Sequence, residues 1–535
     1  MQTTTKQSIN LSKSEQSCHH SRPLTGEEYL TSLRDGREVW IYGERVADVT
    51  QHPAFHNTAR ILARLYDALH DPARQGVLTC PTDTGSDGYT HRFFRVAHSV
   101  DDLVAARDAI VEWARMTYGW MGRPPDYKGA FATSLGANPS FYSPYEDNAR
   151  RWYQAIQEKV LYLNHAIADP PVDRHLKTGH IGGIQMRVVR ETDAGIVVSG
   201  AKTVATNSAL TQYTWIGQAG PVKKKEHALN FILPMSTPGV KLLCRPSYQM
   251  AARVMGSPFD YPLSSQYDEN DSILICDEVL VPWENLFIYG HLGKTATYLP
   301  RSGFASSAFF NSCIRLGVKL DFLTGLLFKS LEMTGSLQYR GVQVHVGEVL
   351  AYRNLIWSLT EAMMRNPDPW ENGAVLPNNE AVLAYRALAP NIYSKIKEIF
   401  QDVVASSLIY YNSHATDFQN PELRPYLDTY LRGSQGQDAV ERAKLSKLAW
   451  DALGTEFGSR HELYERNHNG NHEVIRLNNY RHALASGQAK EFKALVDACL
   501  SEYDLNGWTM GDLAHAAPAN PFAGNHTNNH NTEKE

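Results

Sequence analysis

The sequence has little of what nucleic-acid binding, secretion or membrane insertion requires. Lys plus Arg number 52 against 57 Asp plus Glu, a formal net charge of -5. No basic excess exists to neutralise phosphates, which argues against a nucleic-acid partner. The one short basic run, Lys223-Lys224-Lys225, reads as a solvated loop tip. The six cysteines, Cys18, Cys80, Cys244, Cys276, Cys313 and Cys499, are scattered, and no two form a Cys-x-x-Cys. That excludes a disulfide framework or a tetrathiolate zinc site and fits a reducing compartment. Residues 1–22 are polar and have no apolar signal-peptide core. No uninterrupted apolar run is long enough to span a bilayer. A cytoplasmic protein with no membrane partner is expected.

Several chemical signatures are also missing. There is no Gly-x-Gly-x-x-Gly at a strand-to-helix junction and no Walker A loop, so no conventional nicotinamide- or nucleotide-binding domain is evident. Neither His-Glu-x-x-His nor Gly-x-Ser-x-Gly occurs. His468-x-x-x-His472 has ligand-like spacing, but it lies in an Asn/Gly stretch, and no metal is predicted.

What is present is an ordinary globular balance: 535 residues, 43% hydrophobic and 20% charged, enough for a large core and several domains. Residues 1–22 and 515–535 read as disordered arms, with little to bury. Residues 23–168 read as mainly helical. Thr25-Gly-Glu-Glu28 is a capping-box signal, Glu38 to Val49 a short hairpin turning at Tyr42-Gly43, and Ser99 a helix cap. Residues 169–290 turn to β, with strand-like runs at 184–189, 195–199, 228–233, 239–243 and 272–276. Residues 291–514 become helical again, with periodic segments at 313–333, 342–364, 380–408 and 439–453 that suggest an antiparallel bundle.

Four segments carry candidate chemistry. In Tyr118-Gly-Trp-Met-Gly-Arg-Pro-Pro-Asp-Tyr-Lys128, the two prolines predict a chain entering a helix. Arg123 then sits at the helix mouth and Tyr127 about one turn in, and the helix N-terminus favours an anion. The competing account pairs Arg123 with Asp126 and leaves Tyr127 as packing. In Leu163-Asn-His165-Ala-Ile-Ala-Asp-Pro-Pro-Val-Asp-Arg174, a His and a Pro-Pro loop suit a large polar ligand, although a lone His is more often structural. Ser199-Gly-Ala-Lys-Thr-Val-Ala-Thr-Asn-Ser208 lets a flat ligand approach backbone, with Thr206 as a donor, or is ordinary strand-end chemistry. Leu453-Gly-Thr-Glu-Phe-Gly-Ser-Arg460-His-Glu-Leu-Tyr-Glu-Arg466 permits close approach of a pyrophosphate to Arg460, or is a plain helix-helix turn.

Taken in order, these segments resemble the 4-hydroxyphenylacetate 3-monooxygenase family, oxygenase component. The resemblance extends through Leu24-Thr-Gly-Glu-Glu-Tyr-Leu30, Asp83-Thr84-Gly85, Tyr89-Thr-His-Arg-Phe-Phe94, Gly256-Ser-Pro-Phe-Asp-Tyr-Pro-Leu-Ser264 and Val281-Pro-Trp-Glu-Asn285. It implies an α+β, acyl-CoA-dehydrogenase-like fold: an N-terminal helical domain, a middle β-barrel domain and a C-terminal four-helix bundle. It implies a homotetramer, or a dimer of similar architecture, and FAD used as FADH2 with O2 as co-substrate. It implies ortho-hydroxylation of a phenol to a catechol by way of a flavin C4a-hydroperoxide, with reduced flavin from a separate NAD(P)H:flavin reductase. Arg123, Tyr127 and His165 are the implied catalytic and substrate contacts. His165, Ala166, Ile167, Ala168, Pro171, Val172, Asp173, Arg174 and Thr206 are the implied flavin contacts, with Phe457, Gly458, Ser459 and Arg460 reaching it from the bundle.

The chain departs from the family pattern in places. Pro124 stands where Ser or Thr is frequent, Gln212 where His is common, and residues 177–183 and 217–226 are unusual. The substrate is therefore left open between 4-hydroxyphenylacetate, a coumarate and a tyrosine-derived group on a carrier protein. Two rivals remain. One is a flavin-dependent CoA-ester dehydratase or dehydrogenase of the same fold; such a dehydratase needs an iron–sulfur cluster, and Arg123 and Tyr127 stand at two of its cysteine positions. The other is a non-catalytic scaffold that kept the fold.

Overall fold

The computed structural model describes residues 21–173, 175, 183–218, 220–410 and 414–513. The chain forms two compact units, Met1–Asn471 and His472–Glu535. The expected arm at 515–535 lies outside the described residues, as do residues 1–20 of the N-terminal arm. Residues 21 and 22 are tied down: Tyr89 N–H donates to the Ser21 carbonyl, and Arg22 pairs with Glu28 at 2.7 Å.

Local signals place most of the elements. Thr25 and Glu28 form the anticipated capping box on the helix Gly26–Ser32. Ser99 accepts from Asp102 N–H and starts the helix Val100–Met116. Tyr42 and Gly43, both at positive φ, turn the hairpin between Glu38–Ile41 and Glu44–Arg45.

Two sheets make the β-domain. The first runs in the order 44–45, 38–41, 240–244, 272–282, 195–202 and 187–192. Its edge therefore comes from the N-terminal hairpin, whose strand 38–41 lies parallel to 240–244. The second runs 286–289, 229–234, 213–216 and 163–166, with 163–166 parallel to 213–216 and His165 opposite Trp215. Ile196, Val198, Phe231, Leu233, Leu242 and Leu274 are buried in one continuous core. Strands 163–166, 213–216 and 286–289 go beyond the strand-like runs read from the sequence.

The helical part of the first unit is built on Phe304–Thr334, against which Arg340–Arg365 and Asn379–Val404 pack. The pair Ala439–Leu453 and Glu456–Asn467 closes on this group. The run read as 380–408 stops at Val404, because Ala405 takes φ 53, outside the right-handed helix.

Helix Phe304–Thr334 is buried on nearly all sides, and it carries Arg315 and Lys319 into the interior. Each finds an acid: Arg315 meets Asp126 at 3.0 Å, and Lys319 meets Glu465 at 2.5 Å. Two glycines let residues 118–123 lie against these helices. A Cβ on Gly119 (φ 76) would stand 2.7 Å from the Lys319 backbone nitrogen, and one on Gly122 2.5 Å from the Tyr464 ring.

The second unit contains helices His472–Ala485 and Gln488–Leu500, then a small hairpin of Tyr503–Asp504 and Gly507–Trp508. Its helices expose Tyr480, Leu484, Phe492, Leu495, Val496 and Leu500. No helix among the described residues is long and apolar enough to cross a membrane.

Asp126→Ala leaves the Arg315 guanidinium buried without its counter-ion. The expected cost is about 3–5 kcal/mol in denaturant unfolding, and a loss below about 1 kcal/mol would contradict the pairing.

Candidate functional site

The segment 118–128 delivers the site. Pro124 is extended (φ -72, ψ 178), and a short 3-10 helix, Pro125–Lys128, runs into the α-helix Gly129–Ala137. The proline pair therefore does open a helical segment, with Arg123 just before it. The Glu269 carboxylate accepts from Gly122 N–H at 2.7 Å and Arg123 N–H at 2.6 Å. Tyr162 donates its hydroxyl to the Arg123 carbonyl, and Asn207 donates to the Tyr162 oxygen at 2.8 Å. The backbone at Arg123 is thus held from both sides.

The side chain of Arg123 is buried between two rings. Its guanidinium carbon lies 4.1 Å from the centre of the Tyr127 ring and 4.9 Å from that of Tyr464. Nη1 donates to the Tyr464 hydroxyl and to the Gly122 carbonyl at 3.1 Å. Asp126, its alternative partner on sequence grounds, bonds Arg315 and Asn311 instead. Among the described residues, no carboxylate forms an ion pair with Arg123.

Tyr127 stacks on His165, ring centres 5.7 Å apart at 27°. His165 sits on the strand Leu163–Ala166, and its Nδ1 is 2.9 Å from the Nζ of Lys128. Burial, then the charges of Lys128 and Arg123, push the His165 imidazole well below its ordinary value. Burial and Arg123 likewise push Lys128 well down, against an opposing pull from Glu269. Arg123 and Tyr127 of one segment and His165 of the strand 163–166 form one contiguous array.

A second cluster gathers around Asp271. It accepts from Thr206 Oγ1 at 2.7 Å, from Arg460 at 2.8 and 3.1 Å, and from Arg245 at 3.1 Å. Burial alone would raise the Asp271 carboxyl, but Arg460 and Arg245 hold it below its ordinary value. Arg460 also stands 3.6 Å from Glu269, which links this cluster to Arg123. Thr206 and Arg460, far apart in the sequence, thus meet on one carboxylate.

The other expected contacts are spread around these clusters. Ala166 is buried on the strand, and the Ala168 carbonyl accepts from Thr203 N–H at 2.9 Å. Pro171, Val172 and Asp173 are exposed, and Arg174 lies outside the described residues. Phe457 packs on Trp120 and His461. Gly458 abuts the Ala452 carbonyl, where a Cβ would stand at 2.6 Å, so close helix packing accounts for that glycine. Gln212 accepts from Tyr162 N–H and donates to Ser32, both at 2.9 Å, a buried structural link. A cavity of about 290 Å³ lies beyond the end of the strand that carries His165, walled by Ile167, Asp169, Gln185, Gln218, Lys223 and Lys224.

Sequence reading overlooked Lys128, Glu269, Asp271 and Tyr464 as site residues. The signal available was the run Asp268-Glu269-Asn270-Asp271, whose members are buried or nearly so in the fold. His468, read as a poor metal candidate, stacks on Tyr464 with ring centres 4.4 Å apart. No group of three His, Cys, Asp or Glu suited to a metal occurs among the described residues.

Known proteins place the chain in a family. The N-terminal profile of 4-hydroxyphenylacetate 3-hydroxylase matches residues 25–288, and its C-terminal profile matches residues 295–497. The chain belongs to the 4-hydroxyphenylacetate 3-hydroxylase family. It is 56% identical over 493 residues to the 4-nitrophenol 2-monooxygenase oxygenase component of a Rhodococcus species, covering 92% of this chain and 95% of that one. It is 57% identical over 494 residues to a Streptomyces globisporus monooxygenase of a (3S)-3-amino-3-(3-chloro-4-hydroxyphenyl)propanoyl group on a peptidyl-carrier protein, covering 92% and 94%. It is 55% identical over 495 residues to the 4-hydroxyphenylacetate 3-monooxygenase oxygenase component of Escherichia coli, covering 92% and 95%. The crystal structure of an oxygenase component of 4-hydroxyphenylacetate 3-monooxygenase, complexed with FAD and 4-hydroxyphenylacetate, superposes with a TM-score of 0.84 at 30% identity over 89% of this chain and 99% of that one. A 4-hydroxybutyryl-CoA dehydratase from N. maritimus, 19% identical, superposes with a TM-score of 0.77 and shares the fold.

Burial holds His461 and His468 neutral as it does His165. Their folded pKa values lie below the unfolded value of about 6.5, so the unfolded chain binds more protons. Stability is therefore expected to be full above about pH 7 and to fall as the pH drops below about 6.5. His468→Gln should remove about one proton from that slope, read as unfolding free energy at a series of pH values. An unchanged slope would show that His468 is not held neutral.

Proposed function

We propose that this protein is the oxygenase component of a two-component flavin-dependent monooxygenase that hydroxylates a phenol ortho to its hydroxyl group, giving a catechol. The observation that carries this reading is the buried Arg123 guanidinium, which has no carboxylate partner among the described residues and is packed on Tyr127 beside His165. A buried cation without a counter-ion is costly. A phenol oxygen taking on phenolate character there relieves that cost.

The residues present fit FAD. His165 to Ala168, Pro171 to Asp173 and Thr206 would hold it from the β-domain, and Phe457 to Arg460 from the bundle. Val204, between Thr203 and Thr206, supports this: it is 64% exposed and takes φ 55, an outlying backbone for a β-branched residue. A flat ring system covering that side chain would account for its exposure. Bound in its reduced form, FAD supplies the electrons that activate O2.

The chain's own residues then act on the substrate. Arg123 and Tyr127 stabilise negative charge growing on the phenol oxygen. His165, kept neutral by its surroundings, accepts the phenol proton. Burial of the array keeps water from the reacting atoms. With no nicotinamide-binding signature in the chain, the reduced flavin comes from a separate NAD(P)H:flavin reductase.

For the substrate we place 4-hydroxyphenylacetate-like phenols beside tyrosine-derived groups on a carrier protein. Lys223, in the wall of the cavity beyond the strand 163–166, beside Asp169 and a Lys224 that pairs with Glu226 at 3.6 Å, offers a positive charge to an acidic or phosphate-bearing tail. We also place the protein in the cytoplasm, in keeping with the free thiols of its described cysteines. As assembly state we propose a homotetramer, in which other copies cover the apolar residues exposed on helices 472–485 and 488–500.

Arg123→Ala and His165→Ala are each expected to slow hydroxylation by on the order of 10²-fold or more with chemically reduced FAD; a wild-type rate would remove that residue from the site. A panel of phenols, free and carrier-tethered, should yield catechol from at least one member, and flavin oxidation without catechol from every member would favour a scaffold. Deleting residues 472–535 should lower the mass seen in sedimentation; an unchanged tetramer would clear that unit of the role.

A further inference from the structure

Lys128 is the most deeply placed basic side chain of the site, only 1% exposed. Among the described residues its Nζ has one hydrogen-bond partner, Nδ1 of His165 at 2.9 Å, and it forms no ion pair with a carboxylate. The Tyr127 ring lies beside it, 4.9 Å from Nζ to the ring centre. The Nε2 of His165 has no hydrogen-bond partner among the described residues, and His165 itself is only partly buried. One ring nitrogen is therefore engaged inward by an amine, while the other is free to meet a ligand.

Resting on the phenol-binding reading above, we propose that Lys128, as a neutral amine, is the final acceptor of the substrate's proton, passed to it through His165. The phenol O–H bond breaks as a proton binds His165 Nε2. The Nδ1–H bond of the same ring breaks as a proton binds Lys128 Nζ. The products are a phenolate, an ammonium and an imidazole that is again neutral but carries its proton on Nε2. That tautomer donates a hydrogen bond back to the phenolate. No proton leaves the site, and no charge is created without its opposite.

The surroundings agree. The charged and titratable groups facing Lys128 are Arg123 and Tyr127 on its own segment, His165 on the strand 163–166, and Glu269 across from them. Burial and Arg123 outweigh Glu269 and favour the neutral amine before substrate enters. A phenolate arriving beside Arg123 adds the negative charge that raises the amine's proton affinity. Lys128 touches the substrate only through His165 and is a positioning residue in that sense.

The test uses the full chain without flavin and 4-nitrophenol as a probe whose ionised form absorbs in the visible. At a pH below the probe's own pKa, wild-type protein should bind it as the phenolate and release no proton to the medium, the latter read by titration calorimetry in two buffers of different ionisation enthalpy. Lys128→Gln keeps a polar partner for Nδ1 but cannot take the proton. It should bind the probe mainly un-ionised, or release one proton per phenolate bound, with affinity at that pH reduced roughly tenfold or more. Lys128→Met should behave like Lys128→Gln. A purely structural hydrogen bond predicts the opposite, rescue by Gln with a wild-type spectrum and proton count, and that result overturns the proposal. Failure of wild-type protein to bind the probe at all overturns the phenol-site reading itself.

Discussion

The constraint on which the site depends is the hold that Glu269 has on the backbone at Gly122 and Arg123. One buried carboxylate accepts both N–H groups, at 2.7 and 2.6 Å. Charge-assisted bonds of this kind are about twice as strong as neutral ones, and two of them fix the chain direction just before Pro124. They also commit the nearest carboxylate to the backbone. The Arg123 guanidinium is left to rings and a phenol hydroxyl, and its charge remains available to a ligand. Had Glu269 taken the guanidinium instead, the site would be a closed ion pair.

The surrounding acids are distributed by the same logic. Asp126, three residues from Arg123, goes to Arg315. Glu465 goes to Lys319. Asp271 takes Arg245, Arg460 and Thr206 together. These buried basic groups have a carboxylate each, whereas Arg123 and Lys128 have none among the described residues. Both lie in one eleven-residue segment by the count 118 to 128, and both adjoin the stacked Tyr127 and His165. A buried Arg123 charge without a counter-ion, beside an amine that burial favours as neutral, selects for an anion, or for a neutral group that becomes one as it reacts.

Glycine placement makes this geometry reachable. Gly119 and Gly122 bring the segment against the Lys319 backbone and the Tyr464 ring at distances that no side chain would allow. That contact sets Tyr464 over Arg123 and joins the site to the helix Glu456–Asn467. The neighbouring cavity, with Lys223 and Lys224 in its wall, lies beyond the end of the strand that carries His165.

Periodicity and local punctuation made the order of elements legible, because caps, turns and amphipathic faces are encoded within a few residues of one another. Thr25 with Glu28, Tyr42 with Gly43, and Ser99 are of this kind. The pieces of the candidate site were legible only in part: spacing and composition left Arg123, Tyr127 and His165 open to a structural reading, and the family resemblance joined them. Partnership was not legible. Nothing near Asp126 in sequence says that it will meet Arg315 rather than Arg123, and nothing marks Glu269 as a backbone clamp or Lys128 as the partner of His165. Strand 163–166 was likewise missed, since its neighbour at 213–216 supplies the pairing. The sequence by itself determined which residue types stand in which segments and what local structure each prefers. Only the tertiary structure decided which charges are neutralised and which are left free, because that depends on the proximity of groups tens to hundreds of residues apart in a medium where water no longer screens them.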